Sequence, residues 1–372
     1  MIEVRPVQTQ HERDIFLTFP WRIYKHDPLW IPPILADRKK ATDPARGLFF
    51  KGGGIADLYI AWKDGKPAGT IVCAREKEEA KENMFGFFEC IDDYAVAEAL
   101  FKQAEAWTRE HHLTAMIGTY NLDREENRGI LIEGRDRPAP LLCGYNPPYY
   151  QSFFEHYGFR LEHDDGLAYA IDLDLNNPKI QRLSRVADRV RQRKNFKVRG
   201  ANMDDVENEI DRIWDLQNRA LAHLEGFMPY PREAIETMVL PLKEIADPEL
   251  VLFAEADDKA VGWFPAIPNF NEIIIHINGL RYPWDYLPAL YYQHKKVESI
   301  AIKSVAVPPE YWDTGVAILL FDEMAKRAAA KGYKWADLSL TGEDNPDTFD
   351  LAHHMGAKIY KRYRFYRKEL EQ

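Results

Sequence analysis

A chain of 372 residues is longer than one ordinary hydrophobic core supports and suits two domains of average size. Its 46% apolar and 29% charged residues fall in the globular range, away from the signature of disorder. A formal net charge of −10 argues against a nucleic-acid surface, and three cysteines without metal or redox spacing argue against a metal cluster or a disulfide framework. The opening MIEVRPVQTQHERDIF mixes charges into its apolar positions and does not read as a signal peptide, and no apolar run is long enough for a membrane helix. A cytoplasmic protein with no membrane, nucleic-acid or metal partner is expected, its oligomeric state left open.

Residues 2–7 alternate as a strand, and 11–26 have the apolar spacing of a helix. In LYIAWKDGKPAGTIVCARE (58–76), two β-rich runs flank Asp64-Gly65, a tight hairpin turn. A strand at 85–90, a helix at 95–113, a strand at 114–120, a helix at 149–159 and a strand at 167–173 follow. The order then repeats: VRGANM (198–203), a helix from Asp204-Asp205, an Asp-bearing hairpin at 251–267, a strand at 300–307, a helix at 319–333 and a strand at 334–340. The chain is an internal duplication, with residues 1–175 and 196–372 as the two expected domains. Between them, segment 176–195 carries seven Arg or Lys residues and reads as a basic, solvated helical connector.

VPPEYWDTGVA (307–317) lies between a β-rich run and a helix. There, free main-chain amides and the positive end of the helix dipole favour an anion, and Gly315 permits close backbone approach. An ordinary turn and helix cap is the alternative reading of these residues. Val307, Pro309, Glu310, Tyr311, Gly315 and Ala317 resemble the strand end and phosphate loop of the GNAT acetyltransferase superfamily, with Trp312 standing where Arg or Gln is usual. A closer likeness, to a group of bacterial tandem-GNAT proteins, covers 120–372. It is carried by GILIEG (129–134), YNPPYYQSFFEHYGF (145–159), Asn218 with GFMP (226–229), PNFNE (268–272), SLTGEDN (339–345) and MGAKIYKRYRFYRKEL (355–370). The resemblance implies an α/β fold of two tandem GNAT-like units, each a mixed, mainly antiparallel sheet flanked by helices and splayed between its fourth and fifth strands.

It further implies acetyl-CoA or another acyl-CoA as co-substrate, with pyrophosphate on Thr314, Gly315, Val316 and Ala317. The pantetheine arm would run along Ser304, Val305, Ala306 and Val307, and a small-molecule or peptide amine would be the acceptor. The first half has Asp92-Asp93 where phosphate would bind, so one of them is expected to cap the helix at 95–112 and that half to be non-catalytic. The family's thiolate-protonating Tyr is replaced by Phe154 and by Ala352; Tyr363, Tyr366 and His353 are the substitutes nearby. Glu343 is the candidate base, or else part of a helix cap with Asp344 and Asn345. Most aromatics of 279–296 are expected to pack in an interface, leaving Asn269, Asn271, Glu272 and Asn345 as candidate substrate contacts. The resulting expectation is an acyl-CoA-dependent N-acyltransferase working by direct amine attack. The alternatives are a degenerate acyl-CoA-binding or interaction module, a tRNA-dependent aminoacyl transferase, and a scaffold.

Overall fold

The computed structural model describes residues 1–122, 128–193, 195–223, 227, 229–240, 243, 246–303, 305–343, 352 and 355–371; the side chain of Arg193 is left out. The first half runs β1 (Ile2–Pro6), α1 (Gln10–Thr18), α2 (Pro20–Ile23), α3 (Leu35–Ala41), α4 (Leu48–Lys51), β2 (Ile55–Lys63), β3 (Lys66–Arg75), β4 (Glu82–Cys90), α5 (Tyr94–Glu110), β5 (Ala115–Gly118), β6 (Ile130–Glu133), α6 (Tyr149–His156), β7 (Arg160–Leu161) and β8 (Gly166–Asp172). After α7 (Pro178–Arg193) come β9 (Phe196–Gly200), α8 (Val206–Leu221), α9 (Arg232–Val239), β10 (Val251–Ala256), β11 (Lys259–Pro268), α10 (Asn271–Ile274), α11 (Tyr286–Tyr292), β12 (Ser299–Ile302), α12 (Val316–Lys331), β13 (Trp335–Gly342), β14 (Lys358–Arg364) and β15 (Tyr366–Glu369).

Local chemistry accounts for the boundaries. The expected helix at 11–26 is two helices, because Pro20 begins a new one where its missing N–H costs nothing. Both hairpins turn where expected, with positive φ at Asp64, Gly65, Asp257 and Asp258. Asp93 caps α5, its Oδ1 accepting from the Ala95 N–H at 3.1 Å.

Two sheets result, in the orders β1-β2-β3-β4-β5-β15-β7 and β6-β14-β8-β13-β12-β11-β10-β9. In each, one parallel pair (β4 with β5, β12 with β13) interrupts antiparallel neighbours. Neither sheet belongs to one half of the chain. β15, from the C-terminus, pairs with β5, while β8 and β6, from the first half, pair with β13 and β14. A cut within 176–195 would therefore separate strands from their own sheets. The GILIEG motif serves this exchange: a Cβ on Gly134 would sit 2.0 Å from the Tyr360 carbonyl oxygen of β14, so only glycine lets β6 close on its neighbour.

One core lies beneath α5, centred on Phe85, Phe101, Trp107, Phe154 and Tyr366; another lies beneath α12, with Phe264, Leu320 and Met324. The basic connector is not simply solvated. Ile180 and Ala187 of α7 are buried, Ser184 Oγ donates to Asp322 Oδ1 at 2.6 Å, and Arg191 Nη2 donates to Asp322 Oδ2 at 2.8 Å, which docks α7 on α12. Among the described residues no helix is long and apolar enough to cross a membrane.

Candidate active site

Parallel pairing of β12 with β13 stops at Ile302 and Leu338. β13 continues to Gly342, while the chain after Lys303 leans toward β11 and bridges back to it at Ala306. The two chains therefore part between 305–307 and 339–342. Main-chain alternation decides what faces the gap between them. Ala306 donates to the Trp263 carbonyl at 2.9 Å and accepts from its N–H at 2.8 Å, so its polar groups point away from the gap and its side chain is buried; this corrects the assignment of Ala306 to an arm-binding role. Val305 and Val307 alternate with it and face the gap, although the Val307 carbonyl accepts from Trp312 Nε1 at 2.8 Å. Ser304 lies outside the described residues.

At the mouth of the gap, Pro309–Thr314 form a 3-10 turn, Thr314 Oγ1 donates to the Tyr311 carbonyl, and Gly315 (φ 90°) begins α12 without a side-chain cap. The first turn of the 16-residue α12, with Val316 fully buried and Ala317 half-buried, carries the positive end of the helix dipole. What approaches Gly315 closely is protein: a Cβ there would lie 2.6 Å from Val190 Cγ2 of α7. Residue 315 must be glycine for that contact as well as for its positive φ. The same packing brings the cationic end of α7, with exposed Arg189, beside the loop.

The apex of the gap holds residues that motif reasoning missed. Lys303 Nζ donates to Ser339 O at 2.8 Å and Oγ at 2.6 Å and lies 3.5 Å from Asp337 Oδ2. Ser339 Oγ and Tyr360 OH donate to the fully buried Asp337 at 2.6 and 2.8 Å, and Cys143 Sγ is 3.7 Å from Ser339 Oγ. Burial and the Asp337 charge push the Tyr360 phenol well above its ordinary value. The signal was available: one Lys in IAIKSVAV and one Asp in KWADLSL interrupt otherwise buried strands and require each other.

The catalytic candidates fall elsewhere. Glu343 Oε2 accepts from Arg362 Nη1 at 2.5 Å, within a cluster that joins Arg362 and Arg364 to Asp165, so one of its two oxygens is engaged in an ion pair. Tyr363 is wholly buried among Leu131, Cys143 and Leu340, its hydroxyl without a hydrogen-bond partner among the described residues and its phenol pushed well up by burial. Tyr366 stacks on Phe154 in the other core, which removes it from this cleft. His353 and Asn345 lie outside the described residues.

The substrate candidates are also placed away from the gap. Asn269 Nδ2 donates to Ser299 Oγ at 3.0 Å; Glu272 accepts from Ser299 N at 3.0 Å and Glu298 N at 2.6 Å; Asn271 Nδ2 donates to Ala139 O at 3.1 Å. Asn269 and Glu272 fasten the starting end of β12, roughly 10 Å along the strand from the parting. A cavity of about 230 Å³ lies instead at the far end of β13, sharing Leu340, Thr341 and Gly342 with the gap and bounded by Tyr120, Arg128, Glu162 and Phe365. In it Tyr120 OH donates to Glu162 Oε2 at 3.2 Å, and the Glu162 side chain is 7% exposed.

The first half has no open counterpart. Tyr120 N–H donates to Phe85 O at 2.9 Å and Asn121 Oδ1 accepts from Phe87 N–H at 2.7 Å, so the chain leaving β5 folds back into the gap beside β4. The Tyr120 carbonyl oxygen would be 1.7 Å from a Cβ on Gly86, which shows how fully that gap is filled.

No family model matches this sequence. It is 28% identical to a bacterial ceramide synthase of Caulobacter vibrioides over 99% of this chain and 98% of that protein. It is 27% identical to protein YghO of Escherichia coli over 99% of this chain and 95% of that one. Among solved structures it is similar to a tandem GNAT protein from the clavulanic acid biosynthesis pathway, with a TM-score of 0.61, 12% identity, and coverage of 100% of this chain and 99% of that chain. At that identity the likeness concerns architecture: the chain has the tandem GNAT fold.

Proposed function

We propose that the protein is an acyl-CoA-dependent N-acyltransferase whose chemistry takes place at the β12/β13 parting. The observation that carries this reading is the contrast between the two halves: the first half's gap is plugged by its own chain, whereas in the second half the chain after β12 bridges to β11 at Ala306, away from β13. In this reading the main-chain groups of Val305 and the Val307 N–H hold the pantetheine arm. The uncapped α12 N-terminus, with Arg189, receives the pyrophosphate by backbone amides and charge. These residues fit such a group in part: Gly315 is already in contact with Val190 and Val316 is fully buried, so phosphate would meet the half-buried Ala317 first.

The amine enters through the cavity at the end of β13, where Glu162 is the carboxylate placed to take its proton. The amine nitrogen bonds to the thioester carbonyl carbon, the C–S bond breaks, and the departing thiolate takes a proton from solvent. Proximity and orientation supply most of the acceleration. The Caulobacter relative is named for a ceramide, an amide of a long-chain amino alcohol, so that class of amine is tested first.

The test pairs calorimetric titration of acetyl-CoA and a long-chain acyl-CoA with release of free thiol in the presence of amines. Arg189→Glu should weaken acyl-CoA binding about tenfold or more. Glu162→Gln should leave binding intact and lower kcat by roughly 10²- to 10⁴-fold. Absence of heat with either thioester would refute the reading; binding without thiol release would favour the acyl-CoA-binding module.

A further inference from the structure

Between β11 and β12 the second half carries an excursion of thirty residues (269–298) that the first half lacks. It is firmly seated. Trp21 Nε1 donates to Asn278 Oδ1 at 2.8 Å, and Asp285, buried, accepts from Tyr282 N–H at 2.9 Å. Its outer face inverts the usual pattern of a surface helix. On α11 the positions i, i+1, i+4 and i+5 point outward and are Tyr286 (55% exposed), Leu287 (68%), Leu290 (59%) and Tyr291 (60%). Trp284, 63% exposed, stacks on Tyr282 beside them. The inward side is held by Tyr292 on His276, ring centroids 4.0 Å apart. The expectation that most of these aromatics pack in an interface is therefore overturned for this face.

The charges around the patch identify what covers it. Arg281 lies over the Tyr282 ring, Lys295 Nζ lies 4.8 Å from the Tyr291 ring centroid, and Lys296 is exposed. The only carboxylate between 279 and 297 is the buried Asp285, and those flanking it are engaged, Glu298 by Lys334 and Glu272 by the β12 main chain. In a chain of net charge −10, a fixed apolar face edged by Arg281, Lys295 and Lys296 is complementary to an anionic surface. Tyr and Trp rings suit the headgroup layer, Leu the acyl boundary, and Lys and Arg lipid phosphates. We propose that residues 281–296 dock the protein on a bilayer containing anionic lipid, a departure from the expectation that no membrane takes part.

The test is co-flotation of the full chain with phosphatidylcholine vesicles with and without phosphatidylglycerol, in the absence of any acyl-CoA, so that its outcome is separate from that of the catalytic reading. The protein should float with the phosphatidylglycerol vesicles. Leu287→Asp with Leu290→Asp should reduce partitioning about tenfold or more, and Lys295→Glu with Lys296→Glu about tenfold with loss of salt sensitivity. All these side chains are exposed, so both variants should keep the parent's thermal unfolding. No flotation of the parent, or equal flotation of the Asp variant, would overturn the proposal. So would a dimer in light scattering that the Asp variant dissociates without any vesicle binding, which would assign the patch to a second copy.

Discussion

Replacing Tyr366 by Ala tests the exchange of strands directly. Tyr366 lies six residues from the C-terminus, yet it is 1% exposed in the first half's core, stacked on Phe154 with centroids 4.9 Å apart and with its hydroxyl 3.3 Å from Glu155 Oε1. Its strand pairs with Ala115–Gly118 from Tyr366↔Gly118 to Glu369↔Ala115. Truncating a buried aromatic to Ala costs about 3–5 kcal/mol, a large share of the roughly 5–15 kcal/mol that holds a domain together. At roughly 1.4 kcal/mol per decade, amides whose exchange needs that core to open should exchange on the order of 10³-fold faster. Hydrogen exchange read by mass spectrometry locates the loss. It should appear in peptides covering 82–90, 115–118 and 149–159, while 299–302 and 335–338 stay protected. Loss confined to 299–342, the segment nearer in sequence, would refute the exchanged topology.

Glu89 supplies a pH signature. Burial pushes its carboxyl up to about 7, only partly offset by hydroxyl donation from Tyr150 (2.8 Å) and Tyr24 (3.0 Å). The folded protein then keeps a proton that the unfolded chain, titrating near 4.5, has lost, so stability should fall as pH rises from about 4.5 to 7, by about 3 kcal/mol. Glu89→Gln should remove that slope and raise stability at pH 8 in urea titrations; an unchanged slope would be the contrary result. Lys303→Met should destabilise by about 3 kcal/mol, because it leaves Asp337 charged and buried without its cation. Adding Asp337→Asn should restore part of that loss; strict additivity in the double variant would show that the two residues are not coupled.

Much of the fold was legible because it is written locally. Asp64-Gly65 and Asp257-Asp258 turn their hairpins through their own backbone preferences, Asp93 caps the helix that follows it, and periodicity marked most strands and helices within a few residues. The candidate loop was legible for the same reason: Gly315 and the helix start are adjacent in sequence. The substrate candidates were misplaced because Asn269, Asn271 and Glu272 looked free of packing duties, whereas Ser299 and Ala139, far along the chain, engage them.

The sequence by itself determined the order of the main repeated elements, the duplication and the position of the loop at 307–317, but not β6, β14 or β15. Alternation identifies a strand without naming its neighbour, so only the tertiary structure decided that β8 joins the second sheet and β15 the first. The filling of one gap by Tyr120, the wedge of Lys303 against Asp337 in the other, and the contact of Val190 with Gly315 were decided there too. Each joins residues 34 or more apart in sequence, between which only packing of the whole chain sets a distance.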